Sequence, residues 1–225
     1  MGNRAFYWIV LPVFLDEGTK SRLEPIFASL VNPVKLVFFR QKDACSSCIE
    51  QEKLLRDLSD LSGKVTLEVY DFILNGDEVM NFKIDKIPAT AVVGKRDFGI
   101  RFYGVTGGYE FMSLLEDIVM VSTDRTGLDP RLEILVKSIA SSVHLQVLVN
   151  LTCPHCAKMV HAAHQFAFAN SGIRADMVEL TEFPYIAQKY SVTGVPKTII
   201  DEGHSVIGEV PPETLYLEIR KTASS

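Results

Sequence analysis

The feature that most constrains the fold is a repeated spacing between cysteine and proline. Cys45 and Cys153 each open a Cys-x-x-Cys pair and lie 108 residues apart, and Pro88 and Pro196 are separated by the same 108 residues. The stretches IPAT and VPKT around the two prolines also agree, and the offset holds without a gap from cysteine to proline. A repeat of this length predicts the duplication of a domain of about 100 residues rather than a solenoid of short repeats.

Each half of the chain predicts the same order of secondary-structure elements. Continuous apolar runs indicate strands buried on both faces, and apolar residues at a period near 3.6 indicate helices. The first half predicts a leading helix at 19–30, strands at 34–40, 65–72, 89–93 and 98–103, and helices at 48–61, 77–84 and 109–120. The second half predicts a leading helix at 131–140, strands at 143–151, 174–180, 197–200 and 205–208, and helices at 156–169, 184–190 and 212–221.

This order, with a cysteine pair between the first strand and the next helix, resembles the thioredoxin fold in both halves. The resemblance implies the α/β class, with two tandem thioredoxin-like units, each a mixed central sheet flanked by helices. We assign residues 16–121 and 131–225 to the units and the polar, aperiodic stretch 122–130 to a linker. Residues 1–15 form an N-terminal apolar arm in this division. We expect the units to pack side by side through an apolar seam to which the leading helices contribute.

Composition and charge exclude several classes of protein. Apolar residues make up 47% and charged residues 23%, which is the ordinary globular mixture. The net charge of −5 leaves no basic excess for binding nucleic acid. The longest apolar run, residues 6–15, contains Pro12 and is too short for a membrane span, which needs about 20 residues. It also lacks a nearby signal-peptide cleavage site. We therefore expect a cytoplasmic protein with no nucleic-acid or membrane partner.

The four cysteines fall into two pairs with none left over, which points to redox chemistry or metal binding. A cysteine at a helix N-terminus faces free N–H groups that stabilise its thiolate, the nucleophile in disulfide exchange. A partner three residues later lies one turn down the same face. Cys45 and Cys153 are thus the predicted attacking thiols, and Cys48 and Cys156 the resolving ones. Pro154 suits the first turn of a helix, where its missing N–H is not needed.

The main alternative for the second pair is a zinc site. The spacing Cys153-x₂-Cys156-x₄-His161-x₂-His164 superficially resembles a zinc motif. On one helix, however, His164 would lie about 12 Å beyond Cys156, at about 1.5 Å per residue, which is too far for one tetrahedral ion. We therefore predict no metal, and expect both histidines at the helix surface or half-buried.

The residues around the two pairs predict unequal sites. His155 and Lys158 place positive charge near Cys153, and no acid occurs from residue 153 to residue 170. Acidic residues instead surround Cys45, namely Asp43, Glu50 and Glu52, and Lys42 and Lys53 offset them only in part. We expect Cys153 to be the more acidic thiol and the second pair the more oxidising one.

Several further segments resemble the protein disulfide oxidoreductases of thermophilic archaea and bacteria, a glutaredoxin-like family with tandem thioredoxin-like units. They lie at residues 32–36, 97–101, 115–119 and 176–179, and the resemblance covers about residues 13–221. It implies that both cysteine pairs are active. It also implies that Pro88 and Pro196 are cis-prolines facing the pairs, with Ile87 and Val195 offering their backbone to an extended substrate.

The function that this resemblance implies is an enzyme, a protein dithiol–disulfide oxidoreductase. It needs no cofactor beyond its redox-active disulfides. Its partners are protein dithiols or disulfides and a flavoenzyme like thioredoxin reductase. Three alternatives stay open. One is a glutathione-dependent glutaredoxin, with Gly107–Gly108 holding a glutathione carboxylate. Another is an electron-delivery domain for a peroxidase, like the tandem part of the alkyl hydroperoxide reductase flavoprotein. The third is a chaperone that binds clients without redox chemistry.

Overall fold

The computed structural model describes residues 15–42 and 45–222. The predicted N-terminal arm therefore lies outside the described residues except for Leu15, as does Asp43, one of the acids counted around Cys45. The first unit comprises α1 (Glu17–Ala28), β1 (Val34–Arg40), α2 (Ser46–Ser59), β2 (Val65–Asp71), α3 (Gly76–Asn81), β3 (Ala89–Val93), β4 (Asp97–Tyr103) and α4 (Glu110–Thr123).

The second unit repeats this order, and the predicted fold class of two tandem thioredoxin-like units is confirmed. Its elements are α5 (Pro130–Lys137), β5 (Val143–Val149), α6 (Pro154–Ala169), β6 (Ile173–Glu179), α7 (Pro184–Lys189), β7 (Lys197–Ile200), β8 (His204–Ile207) and α8 (Pro212–Thr222).

The observed bounds differ from the predicted ones mainly at helix ends, and caps explain several of the differences. Helices α2 and α6 begin two residues before the predicted starts, because Cys45 and Cys153 are their N-caps. The leading helix α1 begins after Asp16, whose side chain accepts a hydrogen bond from the Thr19 N–H. Helix α5 begins after Asp129, whose side chain accepts from the N–H groups of residues 131 and 132.

The two units share one sheet. Its eight strands follow the order β2-β1-β3-β4-β6-β5-β7-β8, and each unit contributes parallel and antiparallel pairs. Strand β4 of the first unit pairs in parallel with β6 of the second, from Ile100↔Ala175 to Tyr103↔Val178. Gly99 enters this pairing with φ +79°, and a Cβ there would lie 2.9 Å from the Ile173 carbonyl oxygen.

The apolar seam between the units is formed by β4 and β6 and by the packing of α4 on α6. Residues of both units belong to one buried cluster, including Phe102, Leu114 and Ile118 from the first and Val160 and Met177 from the second. The leading helix α5 packs on α6 of its own unit. The expected seam therefore exists, but strand pairing is a main part of it.

The topology places both cysteine pairs at the same end of the sheet. Strand β1 runs antiparallel to β3, and β3 antiparallel to β4, so β1 and β4 point the same way. Strands β4, β6 and β5 are parallel, so β5 shares that direction. Four strand spacings separate β1 from β5, or about 19 Å at about 4.8 Å per spacing. The loops after their carboxyl ends carry the two pairs.

The longest helix of the described residues is α6, with 16 residues. A helix that crosses a bilayer needs about 20 apolar residues. Within the described ranges, no helix combines the length and the apolar character of a membrane span.

Candidate active site

The first cysteine pair sits where β1 leads into α2. Cys45 is the N-cap of α2 in an extended conformation and is partly exposed, whereas Cys48 is buried in the first turn. The two are joined by a disulfide with their Cα atoms 5.3 Å apart. One helical turn thus brings the two sulfur atoms together and leaves only Cys45 near the surface.

The second cysteine pair has the same position between β5 and α6. Cys153 is the half-buried N-cap, Pro154 occupies the first turn, and Cys156 is fully buried. Both thiols are reduced. Burial, together with the neighbouring Cys153 thiol, raises the pKa of the Cys156 thiol well above its ordinary value. The arrangement offers Cys153 to a substrate and keeps Cys156 protonated until a base removes its proton.

Each unit contains a cis-proline, and the residue before the second one contacts Cys153. The Ile87–Pro88 and Val195–Pro196 bonds are both cis, as the resemblance implies. The Cys153 thiol donates a weak hydrogen bond to the Val195 carbonyl oxygen at 3.8 Å. Ile87 and Val195 are half-buried and precede β3 and β7, outside the strand ladder, and Val195 lies beside Cys153.

A repeated turn follows the hairpin of each unit. Gly104 N–H donates to the Pro88 carbonyl at 2.9 Å, and Gly208 N–H donates to the Pro196 carbonyl at 2.8 Å. The two glycines are therefore structurally equivalent, although they are 104 residues apart rather than 108. The first hairpin is four residues longer, and the constant offset between cysteines and prolines does not reveal this difference.

Glu209 binds the two basic side chains next to the second cysteine pair. His155 Nδ1 is 2.5 Å from Glu209 Oε2, and Lys158 Nζ is 2.9 Å from Glu209 Oε1. These two partners lower the pKa of Glu209 below its ordinary value. The absence of acids from residue 153 to residue 170 therefore does not describe the folded site, because Glu209 reaches the helix from the loop after β8.

A carboxylate of the second unit, Glu182, binds residues beside the first cysteine pair. The Ser47 hydroxyl donates to Glu182 Oε2, and the Val105 N–H donates to Glu182 Oε1 at 2.6 Å. Glu182 belongs to the loop between β6 and α7, and its own N–H donates to Glu179 at 2.9 Å. Sequence reasoning missed this residue, since 135 positions separate it from Ser47.

A buried acid approaches the second pair from the first unit. Glu110 at the start of α4 is fully buried, and burial raises its pKa to about 8. Ser113 Oγ lies 3.0 Å from Glu110 Oε2 and 3.3 Å from the carbonyl oxygen of Ala157, next to Cys156. Within the described ranges, Glu110 Oε1 has no hydrogen-bond partner. The available sequence signal was an acid at the start of α4, three residues before Ser113.

The loop before α4 docks on the second site. Tyr109 N–H donates to the Leu151 carbonyl at 3.1 Å, and Gly108 has φ +55°. A Cβ on Gly108 would lie 2.3 Å from the same oxygen. Gly107–Gly108 therefore takes part in the contact between the units.

The two helical histidines contact an acid on α4. His164 Nδ1 lies 2.5 Å from Asp117 Oδ2, and both side chains are fully buried. His161 Nδ1 lies 3.5 Å from Asp117 Oδ1 and 3.6 Å from Glu116 Oε2. The expectation that His164 is at most half-buried is therefore wrong, because α4 of the other unit covers it.

Comparison with known proteins places this geometry in context. A thioredoxin domain family matches residues 143–221. Curated relatives include an NADH dehydrogenase of Bacillus subtilis, 22% identical over 187 residues, and a component of the alkyl hydroperoxide reductase of Pseudomonas aeruginosa, 24% identical over 189 residues. Each alignment covers 83% of this chain but only 34% of the relative, so the chain spans about a third of their length.

Two solved structures match nearly the whole chain. The N-terminal domain of the alkyl hydroperoxide reductase of Enterococcus faecalis has a TM-score of 0.85 at 24% identity, covering 92% of this chain and 100% of that one, and shows the shared fold. A protein disulfide oxidoreductase from Aeropyrum pernix has a TM-score of 0.88 at 30% identity and covers 96% of both chains. With two cysteine pairs on one tandem thioredoxin frame and this identity over almost its full length, the chain belongs to the protein disulfide oxidoreductase family.

Proposed function

We propose that the protein is a dithiol–disulfide oxidoreductase that forms, reduces or exchanges disulfides in other proteins. One observation carries the proposal: two Cys-x-x-Cys pairs, each at a helix N-terminus in a unit that also holds a cis-proline, lie at the same end of one sheet. The two disulfides are the redox groups in this proposal, and no further cofactor takes part. The use of all four cysteines as redox pairs suits a thiol-reducing compartment such as the cytoplasm.

The reductive reaction at the second pair is proposed to run in two exchanges. The Cys153 thiolate attacks one sulfur of the substrate disulfide, and the other sulfur leaves as a thiol after taking a proton. Cys156 then attacks Cys153 Sγ in the mixed disulfide. The substrate departs with both thiols restored, the enzyme holds a Cys153–Cys156 disulfide, and two electrons have moved to the substrate. The oxidative reaction is the reverse.

The buried Glu110 is well placed to take the proton from Cys156. Its charge contributes to the raised pKa of that thiol, and its own pKa of about 8 suits proton transfer near neutral pH. Ser113 holds one carboxylate oxygen, and the other is left without a partner among the described residues. The first unit would thus supply an acid–base group to the second site.

Substrate binding would use the backbone before each cis-proline. An extended segment that pairs with Val195 would pass beside Cys153, whose sulfur is 3.8 Å from the Val195 carbonyl oxygen. Main-chain pairing gives affinity without demanding a particular sequence, which suits an enzyme with many protein substrates. Ile87 would serve Cys45 in the same way.

The relatives indicate redox proteins as partners, and two electron donors are consistent with them. A flavoenzyme like thioredoxin reductase would reduce a free-standing oxidoreductase. The second candidate function is electron delivery to a peroxide reductase, which the similarity to the N-terminal domain of alkyl hydroperoxide reductase favours. Reduction of a test peroxidase by the chain, with a flavoprotein reductase and a nicotinamide donor, separates this role from general disulfide reduction.

The proposed function is tested by reduction of insulin disulfides with dithiothreitol as the electron source. We expect Cys153→Ser to abolish turnover at the second pair and to leave that of the first, and Cys45→Ser to do the converse. The variant with serine at all four cysteines should have no activity. If it instead retains full activity in suppressing client aggregation while the native protein reduces nothing, the protein is a chaperone and the proposal is wrong.

A further inference from the structure

The first cysteine pair contains a hydrogen-bonded chain that crosses between the units. Ser47 Oγ lies 3.9 Å from Cys45 Sγ and donates its proton to Glu182 Oε2. The other carboxylate oxygen of Glu182 accepts from the Val105 N–H, so both oxygens are held by neutral groups of the first unit. We propose that Glu182 is a positioning residue of the first site that accepts the hydrogen bond of the Ser47 hydroxyl and so favours the protonated, less nucleophilic form of Cys45. This inference rests on the proposed function.

The limited number of hydrogen bonds that one hydroxyl can make supports the proposal. A serine has one proton to donate and two lone pairs that accept. While Ser47 donates its hydroxyl hydrogen bond to Glu182, Ser47 Oγ can accept a bond from the Cys45 thiol but cannot donate one to the thiolate. A hydrogen bond to the neutral form, together with a nearby negative charge, disfavours ionisation. The second unit thus sets the reactivity of a cysteine in the first.

The second site also has a carboxylate near its attacking cysteine, Glu209, but that carboxylate has different hydrogen-bond partners from Glu182. Val105 and Glu209 follow the equivalent glycines, and Ser47 and His155 are both the second residue after the attacking cysteine. Glu209 meets two basic side chains, whereas Glu182 meets a hydroxyl and an amide. Among the described residues, the hydrogen-bond partners of Glu182 at this place are therefore neutral, whereas those of Glu209 are basic.

Other charged groups lie on the elements around Cys45, and several of them are paired. Glu52 on α2 binds Arg40 at 3.1 Å and Arg56 at 2.6 Å. Before the cis-proline, Asp85 binds Lys86 at 2.6 Å. The sequence places further charged residues on these segments, namely Lys42, Asp43, Glu50, Lys53, Asp57 and Lys83 in the first unit and Glu179 in the second. A change confined to Glu182 leaves all of these in place.

The test measures the pH dependence of iodoacetamide alkylation in a variant that keeps Cys45 and carries serine at the other three cysteines. Glu182→Gln preserves the size of the side chain and an oxygen that accepts from the Val105 N–H. Its amide group donates a hydrogen bond to Ser47 Oγ, so the Ser47 hydroxyl can donate its own hydrogen bond to the Cys45 sulfur. We expect the alkylation midpoint of Cys45 to fall by about one pH unit, a tenfold gain in thiolate below the midpoint. Glu209→Gln is the matched control and should leave Cys45 unchanged.

A second substitution tests the path through Ser47. Ser47→Ala should lower the midpoint by a smaller amount and should reduce the effect of Glu182→Gln to less than half. An unchanged or higher midpoint in Glu182→Gln overturns the proposal, and so does a rise in Ser47→Ala or an equal fall in both backgrounds. Alkylation needs no turnover, so these outcomes are independent of insulin reduction, which tests the proposed function itself.

Discussion

At the first cysteine pair the residue two positions after Cys45 is a serine bonded to Glu182, whereas at the second pair it is a histidine bonded to Glu209. The backbone frame of the two sites is the same, down to the glycine that bonds the cis-proline carbonyl. Duplication has therefore kept the frame, while the polar groups around each sulfur have changed independently.

The origin of those groups also differs. The second site takes Glu209 from its own unit and Glu110 from the first unit. The first site takes Glu182 from the second unit. Each unit thus places a carboxylate at the other's site, so neither site is complete without both units. The continuous sheet and the α4–α6 contact fix these carboxylates in place.

The largest effect should come from Glu110→Gln and should be confined to the second site. General acid–base catalysis contributes about 10²–10⁴-fold, so we expect loss of the proton acceptor to slow resolution of the Cys153 mixed disulfide by about 100-fold. The native rate should rise with pH up to about 8, where Glu110 ionises, and the variant should lose this rise. Acid quenching and mass analysis of the mixed disulfide measure the rate, and Glu182→Gln is the matched control.

The same substitution should also change stability. The folded-state pKa of Glu110 is raised to about 8, above its unfolded value, so folding favours the protonated form. The native protein should lose stability as pH rises from about 4.5 towards 8, by several kcal/mol at about 1.4 kcal/mol per unit. Glu110→Gln should lack this loss. Urea unfolding at pH 5 and pH 8 checks it, and an equal pH dependence in both proteins would contradict the assignment.

The next effect concerns the loop that joins the two sites. Gly108→Ala places a Cβ on the Leu151 carbonyl and forces a side chain into φ +55°. We expect the free energy of unfolding to fall by about 2–4 kcal/mol, from strain and a backbone clash. Gly63→Ala is the control, because nothing lies within 4 Å of a Cβ there. Its stability should stay within about 0.5 kcal/mol of native.

The sequence predicted the order of helices and strands, because hydrophobic runs reveal single elements and the repeated spacing reveals the duplication. The runs at Val34–Arg40 and Ala89–Val93 match the observed strands at both ends. The pairing of β4 with β6 was not predicted, since a local pattern does not tell which edge strand another strand will meet. Arg101 shows the difficulty: a charged residue at the seam is buried because Asp97 Oδ1 accepts from it at 2.8 Å.

The site chemistry was predictable only where it lies within the motif. The cysteines, Pro154 and the cis-prolines follow from spacing and resemblance. Glu182 and Glu209 are loop acids with no distinguishing neighbours in sequence, and only folding brings them to Ser47 and His155. Charge counted along the chain therefore gave an incomplete description of both sites.

A sharper comparison is the acidity of the two attacking thiols. Along the sequence the positive charge near Cys153 is uncompensated, but in the folded protein Glu209 compensates it. The order still holds as a prediction, because the carboxylate at Cys45 is bonded to two neutral groups, the Ser47 hydroxyl and the Val105 N–H. We expect Cys153 to alkylate with a midpoint about one pH unit below that of Cys45, in backgrounds lacking Cys156 and Cys48 respectively. A Cys45 midpoint at or below that of Cys153 would show that burial, rather than these charges, decides.

The smallest effect should come from Glu209→Gln at the second site. The substitution leaves His155 and Lys158 without their shared carboxylate and so adds net positive charge near Cys153. His155 is 64% exposed and Lys158 56%, and water screens charges at such positions strongly. The alkylation midpoint of Cys153 should therefore fall by only a few tenths of a pH unit, and the shift should shrink further in 1 M salt, where the Debye length is about 3 Å. The Glu182 carboxylate is half-buried and bonded to Ser47 and Val105. Glu182→Gln should therefore retain most of its effect on Cys45 in the same salt. Equal shifts with equal salt dependence would mean that the two carboxylates act alike, and that a bond to serine or to histidine makes no difference at this position.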